Sequence, residues 1–135
     1  MSFLRIVGAI VVLACCAQFT QAAHAAPHAV VTRVMRKDVA DMPGKELLML
    51  RVEYPPGAVD PVHRHDAYAL LYVLHGSVVM KVRGGKQVTL GPGQTFYEGP
   101  NDVHTVGRNA SKTQPAEFVV VLLKKVGAPV VLPAR

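Results

Sequence analysis

Residues 57–76 read GAVDPVHRHDAYALLYVLHG and carry the strongest structural signals in the chain. A glycine opens the stretch, two histidines follow, and an almost unbroken apolar run then ends at Gly76. A short apolar run bounded by glycine and proline turns is typical of a β-strand. One residue separates His63 from His65, so on an extended backbone their side chains point to the same face. Two imidazoles placed side by side can bind one metal ion.

A third histidine lies further along the chain, after another predicted turn. His104 comes directly after the loop of residues 99–102 and opens a run that reads as another strand. If that strand lies beside the first, His104 supplies a third nitrogen. Three neutral imidazoles suit Zn, Fe, Mn, Ni or Cu and leave coordination positions for water or substrate. The alternative is that these are surface histidines in loops, and a bare His-x-His pattern favours that alternative.

The rest of the chain alternates short β-branched runs with glycine- and proline-rich turns. Val78 to Arg83 and Lys86 to Leu90 flank Gly84-Gly85, and two glycines between such runs predict a hairpin. No segment keeps a 3.6-residue apolar period, so we predict an all-β sandwich or barrel. Residues 26–135 are predicted to form one domain. The other predicted strands are Ala29–Lys37, Glu46–Tyr54, Tyr68–His75, Thr95–Glu98, Val103–Gly107 and Glu117–Lys125.

Two spaced motifs resemble those of the cupin superfamily. The family's first motif is Gly, five residues, His-x-His, three or four residues, Glu, six residues and Gly, and it aligns with residues 57–76. The second is Gly, five residues, Pro-x-Gly, two residues, His, three residues and Asn, and it aligns with residues 93–109. The resemblance spans Leu47 to Lys124 and implies a cupin-type double-stranded β-helix, or jelly-roll barrel. It also implies one divalent metal ion, of undetermined identity, bound by His63, His65 and His104.

The sequence departs from the cupin pattern at several positions. Ala69 stands where the first motif has its glutamate, and a methyl group cannot donate to a metal. Either water completes a three-histidine site or another acid substitutes, and Glu98 is the best local candidate. The alternative for Glu98 is an exposed loop acid. In the second motif, Gly99 and Asn101 replace the Pro and the Gly, and Arg108 replaces the Asn.

Several apolar residues share the alternation of the predicted ligands. If they point inward with the histidines, they line a cavity that suits a small organic ligand or substrate. Each of them can equally be ordinary core packing. The predicted lining residues are Ala69, Leu71, Val73, Phe96 and Val106.

Residues 1–25 are predicted to be a secretory signal peptide. Arg5 precedes twelve residues, Ile6 to Ala17, that contain no polar side chain apart from cysteine, and Ala23-His24-Ala25 fits a cleavage site. An uncleaved anchor is the alternative, but spanning a bilayer takes about 20 apolar residues. A lipid-modified Cys15 is a second alternative. Cleavage predicts a periplasmic or secreted protein without cysteine and without stable membrane insertion.

Charge and missing motifs exclude several function classes. The 15 Lys and Arg outnumber the 9 Asp and Glu, for a net charge of +6, yet no basic run is longer than Lys124-Lys125. Nucleic-acid-binding surfaces cluster their basic residues, so we predict no nucleic-acid partner. The sequence also lacks a serine nucleophile elbow, a phosphate-binding glycine loop and a dinucleotide fingerprint, which removes serine hydrolases, kinases and Rossmann enzymes.

Three functions therefore stay open at the level of sequence. The first is a metal-dependent enzyme of the oxygenase or isomerase kind acting on a small organic molecule. The second is a non-catalytic cupin that binds a metal or small molecule in the cell envelope, and the third is a structural barrel whose metal site has decayed. A homodimer is also predicted, formed edge to edge or face to face, because the Val-rich segments Ala29–Val34 and Phe118–Leu123 can extend or cover sheet edges.

Overall fold

The computed structural model describes residues 25–134, so the predictions made for residues 1–24 and for Cys15 lie outside the described residues. Between residues 25 and 134 the backbone forms ten strands and no helix, and hence no helix long and apolar enough to cross a membrane. The all-β prediction is confirmed. The strands are β1 Val30–Asp38, β2 Lys45–Tyr54, β3 His63–Arg64, β4 Ala67–His75, β5 Val78–Val82, β6 Val88–Leu90, β7 Thr95–Glu98, β8 Val103–Asn109, β9 Ala116–Lys125 and β10 Leu132–Pro133.

The strands form two five-stranded antiparallel sheets. The first sheet has the order β1-β2-β9-β4-β7 and the second the order β10-β3-β8-β5-β6. Consecutive strands of the chain repeatedly lie in different sheets, which is the arrangement of a jelly-roll barrel. Alternating residues of β2, β4 and β9 are buried between the sheets, because successive side chains on a strand point to opposite faces. The core residues include Leu48, Leu50, Val52, Leu71, Val73, Met80, Phe118 and Leu122.

Two strand predictions need correction. Phe118–Leu123 cannot extend a sheet edge, because β9 lies between β2 and β4 in the middle of its sheet. Of the two segments predicted to lie at an edge, only Ala29–Val34, through β1, does so. The hairpin around Gly84-Gly85 forms, but its innermost cross-strand pair is Met80 with Val88, so the connection is wider than a two-residue turn.

Gly76, which directly follows β4, occupies a position that no other residue fits. Its φ is +68°, and a Cβ there would lie 2.5 Å from the Pro115 carbonyl oxygen and 2.8 Å from the Ala116 Cα. We therefore expect Gly76→Ala to lower the free energy of unfolding by about 3 kcal/mol. Gly84→Ala is the matched control, because Gly84 has a φ of +77° with open space around it and should cost only about 1 kcal/mol. Urea denaturation of both variants measures the difference, and equal losses would contradict the steric explanation.

Candidate metal centre

Pairing of two strands brings the three histidines together. His63 on β3 lies directly opposite His104 on β8, and His65 follows β3 on the same face as His63. The His63 ring centroid is 4.8 Å from that of His65 and 4.9 Å from that of His104. One nitrogen from each ring lies within 4.8 Å of the others, so this group can hold a metal ion.

Backbone carbonyls fix the tautomers of two of these histidines. His63 Nδ1 lies 2.8 Å from the Pro61 carbonyl oxygen, and His65 Nδ1 lies 2.5 Å from the Val130 carbonyl oxygen. A carbonyl only accepts, so both Nδ1 atoms carry the hydrogen and both Nε2 atoms present lone pairs. The two Nε2 atoms are 3.2 Å apart. Two lone pairs that face each other at this distance suit a shared cation.

His104 and Glu98 leave two buried polar atoms without a partner. His104 Nδ1 lies 3.4 Å from Glu98 Oε1. Within the described part of the chain, His104 Nε2 and Glu98 Oε2 have no hydrogen-bond partner. An unsatisfied buried polar group costs about 1–3 kcal/mol. A metal ion bound by the three imidazoles would satisfy both atoms, so the donor set fits the ion that the motifs imply.

Glu98 lies where the missing motif glutamate can be replaced. It is the last residue of β7, and its cross-strand partner on β4 is Ala69, which occupies the glutamate position of the first motif. A carboxylate therefore enters the site from the neighbouring strand. Glu98 is buried, so the alternative of an exposed loop acid is wrong. Its Oε2 lies 3.9 Å from His65 Nε2.

Burial sets the protonation of the site. It lowers the pKa of His104 to about 4, with the neighbouring His63 contributing, and it also lowers the pKa of His65. Burial raises the pKa of Glu98 to about 7, and the charges of Asp102 and Asp60 add to this rise. Loss of water disfavours whichever form is charged. His65 and His104 are consequently neutral near pH 7, which is the form that binds metal.

The histidines lie in the wall of a cavity of about 280 Å³ inside the barrel. The wall is mostly apolar, and the segments at both ends of the described chain help to form it. Tyr54 and Asp60 add a polar pair to this wall. The Tyr54 hydroxyl donates a hydrogen bond to the Asp60 carboxylate. Apolar lining residues include Val31, Leu50, Val52, Leu71, Met80, Phe118, Val120, Leu122, Val130 and Val131.

Only one of the five predicted lining residues is among the residues of this wall. Leu71 lines the cavity. Ala69 and Val73 are buried core residues that do not line the cavity, whereas their longer cross-strand partners Leu122 and Phe118 do. Phe96 packs partly buried against the core, with its ring centroid 6.2 Å from that of His104.

The placement of Val106 on the ligand face is wrong. His104 pairs with Val82 on β5, whereas Val106 pairs with Lys81, because β8 has an irregularity between these two pairs. The extra residue moves Val106 to the opposite face and turns Gly107 inward instead. A Cβ on Gly107 would lie 2.9 Å from His104 Cε1, so the His104 ring occupies the space that a side chain would need.

Several residues of the site were not found from the sequence. His28, Tyr54, Asp60 and Val130 all line the cavity. Tyr54 carries a usable signal, because it continues the inward alternation of Leu50 and Val52 on β2. Burial raises the pKa of the Tyr54 phenol well above its usual range, and the Asp60 charge adds to the rise, so this hydroxyl stays protonated.

Comparison with known proteins supports the same identification. Residues 50–122, more than half of the chain, match the family model described as a cupin domain. The chain belongs to the cupin superfamily. This membership confirms the family that the two motifs indicated. No curated protein matches this cupin significantly.

Solved structures share the fold of this cupin. The DMSP lyase DddQ from Ruegeria pomeroyi is 24% identical with a TM-score of 0.57, over 64% of this chain and 42% of the lyase. This cupin therefore spans less than half of the lyase. A cupin domain from Bordetella pertussis is 20% identical with a TM-score of 0.58, over 75% of this chain and 98% of that one. The polyketide cyclase RemF from Streptomyces resistomycificus is 20% identical with a TM-score of 0.55, over 77% and 75%.

The C-terminal segment of this cupin orients one of the three histidines. Removing residues 130–135 deletes the carbonyl that holds His65 Nδ1, so we expect metal affinity to fall about tenfold or more. Removing only residues 132–135 is the control, because it deletes β10 but keeps Val130. Competition with a chelator measures both affinities. Equal affinities in the two truncated proteins would show that the Val130 contact does not matter.

Proposed function

We propose that this cupin binds one divalent transition-metal ion and is an enzyme that acts on a small, uncharged organic molecule in the cavity beside it. The main support for this proposal is that three imidazoles lie close enough together to bind one ion. Beside them, the buried His104 Nε2 and Glu98 Oε2 have no hydrogen-bond partner among the described residues. His63, His65 and His104 would hold the ion, with Glu98 as a further ligand. Bound there, the ion would supply Lewis-acid activation of a substrate oxygen or a site for O₂.

The chain's own groups then position the substrate. Apolar side chains from both sheets and from both ends of the described part of the chain line most of the cavity. Asp60 accepts the hydrogen bond of Tyr54 and has a second oxygen with which to accept one from a substrate hydroxyl. The Tyr54–Asp60 pair is therefore the candidate for orienting the substrate and holding a proton. Two enzymes among the cupin neighbours, a lyase and a cyclase, are consistent with catalysis on this fold.

The charges of the cavity favour an uncharged substrate. Among the described residues, Asp60 and Glu98 line the cavity and no Lys or Arg does so. One divalent ion and two carboxylates balance each other. A carboxylate substrate would add an unbalanced charge in a region of low dielectric constant, which is costly.

The test begins with elemental analysis of untagged protein purified without chelators. One ion per chain is expected, and no ion after reconstitution with each divalent metal would overturn the proposal. The metal-loaded protein is then titrated with matched neutral and anionic ligands, such as benzyl alcohol and benzoate. Iron, copper or manganese would direct turnover assays to oxygen uptake, and zinc to isomerase and hydrolytic substrates. Ligand binding without turnover across these assays would indicate a non-catalytic binding protein instead.

We also propose that the chain is exported and that residues 1–25 are removed. This proposal is supported by the leader pattern of the sequence alone. Expressing the full-length sequence in a bacterium and measuring the mass of the periplasmic product tests it. A product that starts at Ala26 is expected. Retention of Met1, or a lipid on Cys15, would contradict cleavage after Ala25.

A further inference from the structure

A second concave region lies next to the cavity of the metal centre. It is an open groove of about 740 Å³ on the inward side of β1 and β2, and residues 126–131 help to line it. Four charged side chains stand in this lining, and three of the four are basic. We call this region the basic groove. The rest of its lining is mostly apolar and includes Leu48, Leu50, Val126 and Val130.

An irregularity in β1 turns two arginines toward the basic groove. Arg33 pairs with Leu50 on β2, and Arg36, three residues later, pairs with Leu48, which is only two residues away from Leu50. β1 therefore has one extra residue between these two pairs. Side chains three residues apart on a regular strand point to opposite faces, but the extra residue returns Arg36 to the face of Arg33. Both arginines line the basic groove.

Four charged side chains in and beside the groove balance one another. Lys124 Nζ donates a hydrogen bond of 2.6 Å to Glu46 Oε1, and Arg36 Nε donates one of 2.5 Å to Glu46 Oε2. Arg36 also forms an ion pair of 3.0 Å with Asp38. The hydrogen bond from Lys124 lowers the pKa of Glu46, so this carboxyl group stays ionised. Two cations and two carboxylates cancel, which leaves Arg33 as the uncompensated charge of the groove.

Arg33 and Lys124 have donor hydrogens that no described residue accepts. The Arg33 guanidinium makes no ion pair and no hydrogen bond with the described part of the chain. The Lys124 ammonium has three hydrogens, of which Glu46 accepts one and the Lys125 carbonyl oxygen another. The Lys124 side chain is only 4% exposed. Buried donors almost always have an acceptor, so the third hydrogen indicates an oxygen atom supplied from the groove.

We propose that the basic groove binds a small organic acid that has one carboxylate and an apolar body. The carboxylate would accept two hydrogen bonds from the Arg33 guanidinium, whose planar shape matches the two oxygen atoms. One negative charge fits because only the Arg33 charge is uncompensated. A dianion would add a second negative charge close to Glu46 and Asp38. The apolar body would lie against Leu48 and Leu50.

The basic groove is separate from the metal cavity, although the two lie back to back. Arg33 lines the groove but not the cavity, so a carboxylate bound to it stays outside the cavity. The proposal does not depend on the metal ion, and the groove and the metal site can therefore fail independently. The side chains that line both regions, and so form a shared wall, are Val31, Leu50, Val130 and Val131.

NMR titration of the isotope-labelled protein, purified after expression of the full-length sequence, tests the groove with hexanoate and its uncharged analogue hexanol. We expect hexanoate to bind about tenfold more tightly than hexanol and to shift the amide signals of β1 and of residues 126–131. The affinity for hexanoate should be the same with and without zinc. No binding of hexanoate up to about 50 mM would overturn the proposal. Equal affinities for the two compounds, or hexanoate binding that requires zinc, would also overturn it.

A matched pair of variants tests the role of Arg33. Arg33→Gln should lower the affinity for hexanoate about tenfold and leave that for hexanol unchanged. Lys37→Gln is the control, because it removes one positive charge from the same strand at an exposed position on the opposite face, where Lys37 pairs with Leu47. The NMR spectra show whether each variant is folded. Unchanged hexanoate affinity in Arg33→Gln, or an equal loss in both variants, would contradict the assignment. Arg33→Gln also removes the groove as a second carboxylate site when the metal-loaded protein is titrated with benzoate.

Discussion

Replacing His63 and His104 together by alanine is expected to reduce the bound metal from about one ion per chain to less than a tenth of that. The double variant keeps only His65 of the three imidazoles, and one imidazole cannot compete with the solvent for a divalent ion. At a free metal concentration of about 100 times the dissociation constant, the ion adds about 2.7 kcal/mol of stability. We therefore expect metal to raise the melting temperature of the wild type by several degrees and that of the double variant not at all.

His75→Ala is the matched control for this experiment. His75 is an exposed histidine at the end of β4 and is not part of the three-histidine group. This variant should keep the full metal content and the full thermal shift. Elemental analysis after dialysis and thermal melts with and without metal measure both quantities. Equal metal content in the double variant and the wild type would place the ion elsewhere.

Glu98→Gln should have opposite effects on the metal-free and the metal-loaded protein. In the metal-free protein, burial raises the pKa of Glu98 to about 7, against 4.5 as the ordinary value. Between these two values the folded protein holds a proton that the unfolded chain has lost, so raising the pH destabilises the fold. The penalty is complete above pH 7 and amounts to about 3 kcal/mol at most.

Glutamine has no ionisation to suppress, so metal-free Glu98→Gln should be more stable than the wild type at pH 8. The gain should disappear below pH 4.5, where the carboxyl group is protonated in both states. His104 has its folded pKa lowered to about 4, so the stability that it contributes is lost as the pH falls from 6.5 towards 4. That loss is common to both proteins and cancels in the comparison.

With metal bound, the wild type should be more stable than Glu98→Gln, which is the reverse of the order expected without metal at pH 8. The variant lacks the carboxylate that we assign as a ligand, and its affinity for the ion should fall about tenfold or more. Denaturant unfolding of both proteins at pH 4.5 and pH 8, with and without metal, measures the free energies of unfolding that these expectations compare. Unchanged metal affinity would remove Glu98 from the ligand set, and a metal-free variant no more stable at pH 8 would contradict the burial penalty.

The three-histidine group could be predicted from the sequence because side chains alternate regularly between the two faces of a strand. His63 and His65 share a face through simple strand alternation, and the spacing to His104 follows a motif whose turns fix which strands pair. Glycines marked the turns for a physical reason, as Gly76 shows through its positive φ and its approach to Pro115. These features depend on a few neighbouring residues, so a short stretch of chain contains them.

The rest of the site depends on contacts between distant residues. That Ala69 faces Glu98 follows from the register of β4 on β7, which no local pattern specifies. Val106 was misplaced because one extra residue in β8 reverses every later side chain. The contact between His65 and the Val130 carbonyl joins residues 65 apart in the chain and involves only backbone on one side, so residue identity gave no sign of it.

The two chain ends also have a practical meaning for purification. His28, near the N-terminal end of the described residues, and Val131, near the C-terminal end, line the cavity that contains the histidines. A polyhistidine tag fused to the C-terminus, or directly to Ala26 in place of the leader, would begin within a few residues of that wall and would offer the ion six competing imidazoles. Apparent stoichiometry, metal preference and inhibition by imidazole would then report on the tag as much as on the protein. A cleavable tag placed on a long linker, and removed before any metal is added, avoids this artefact.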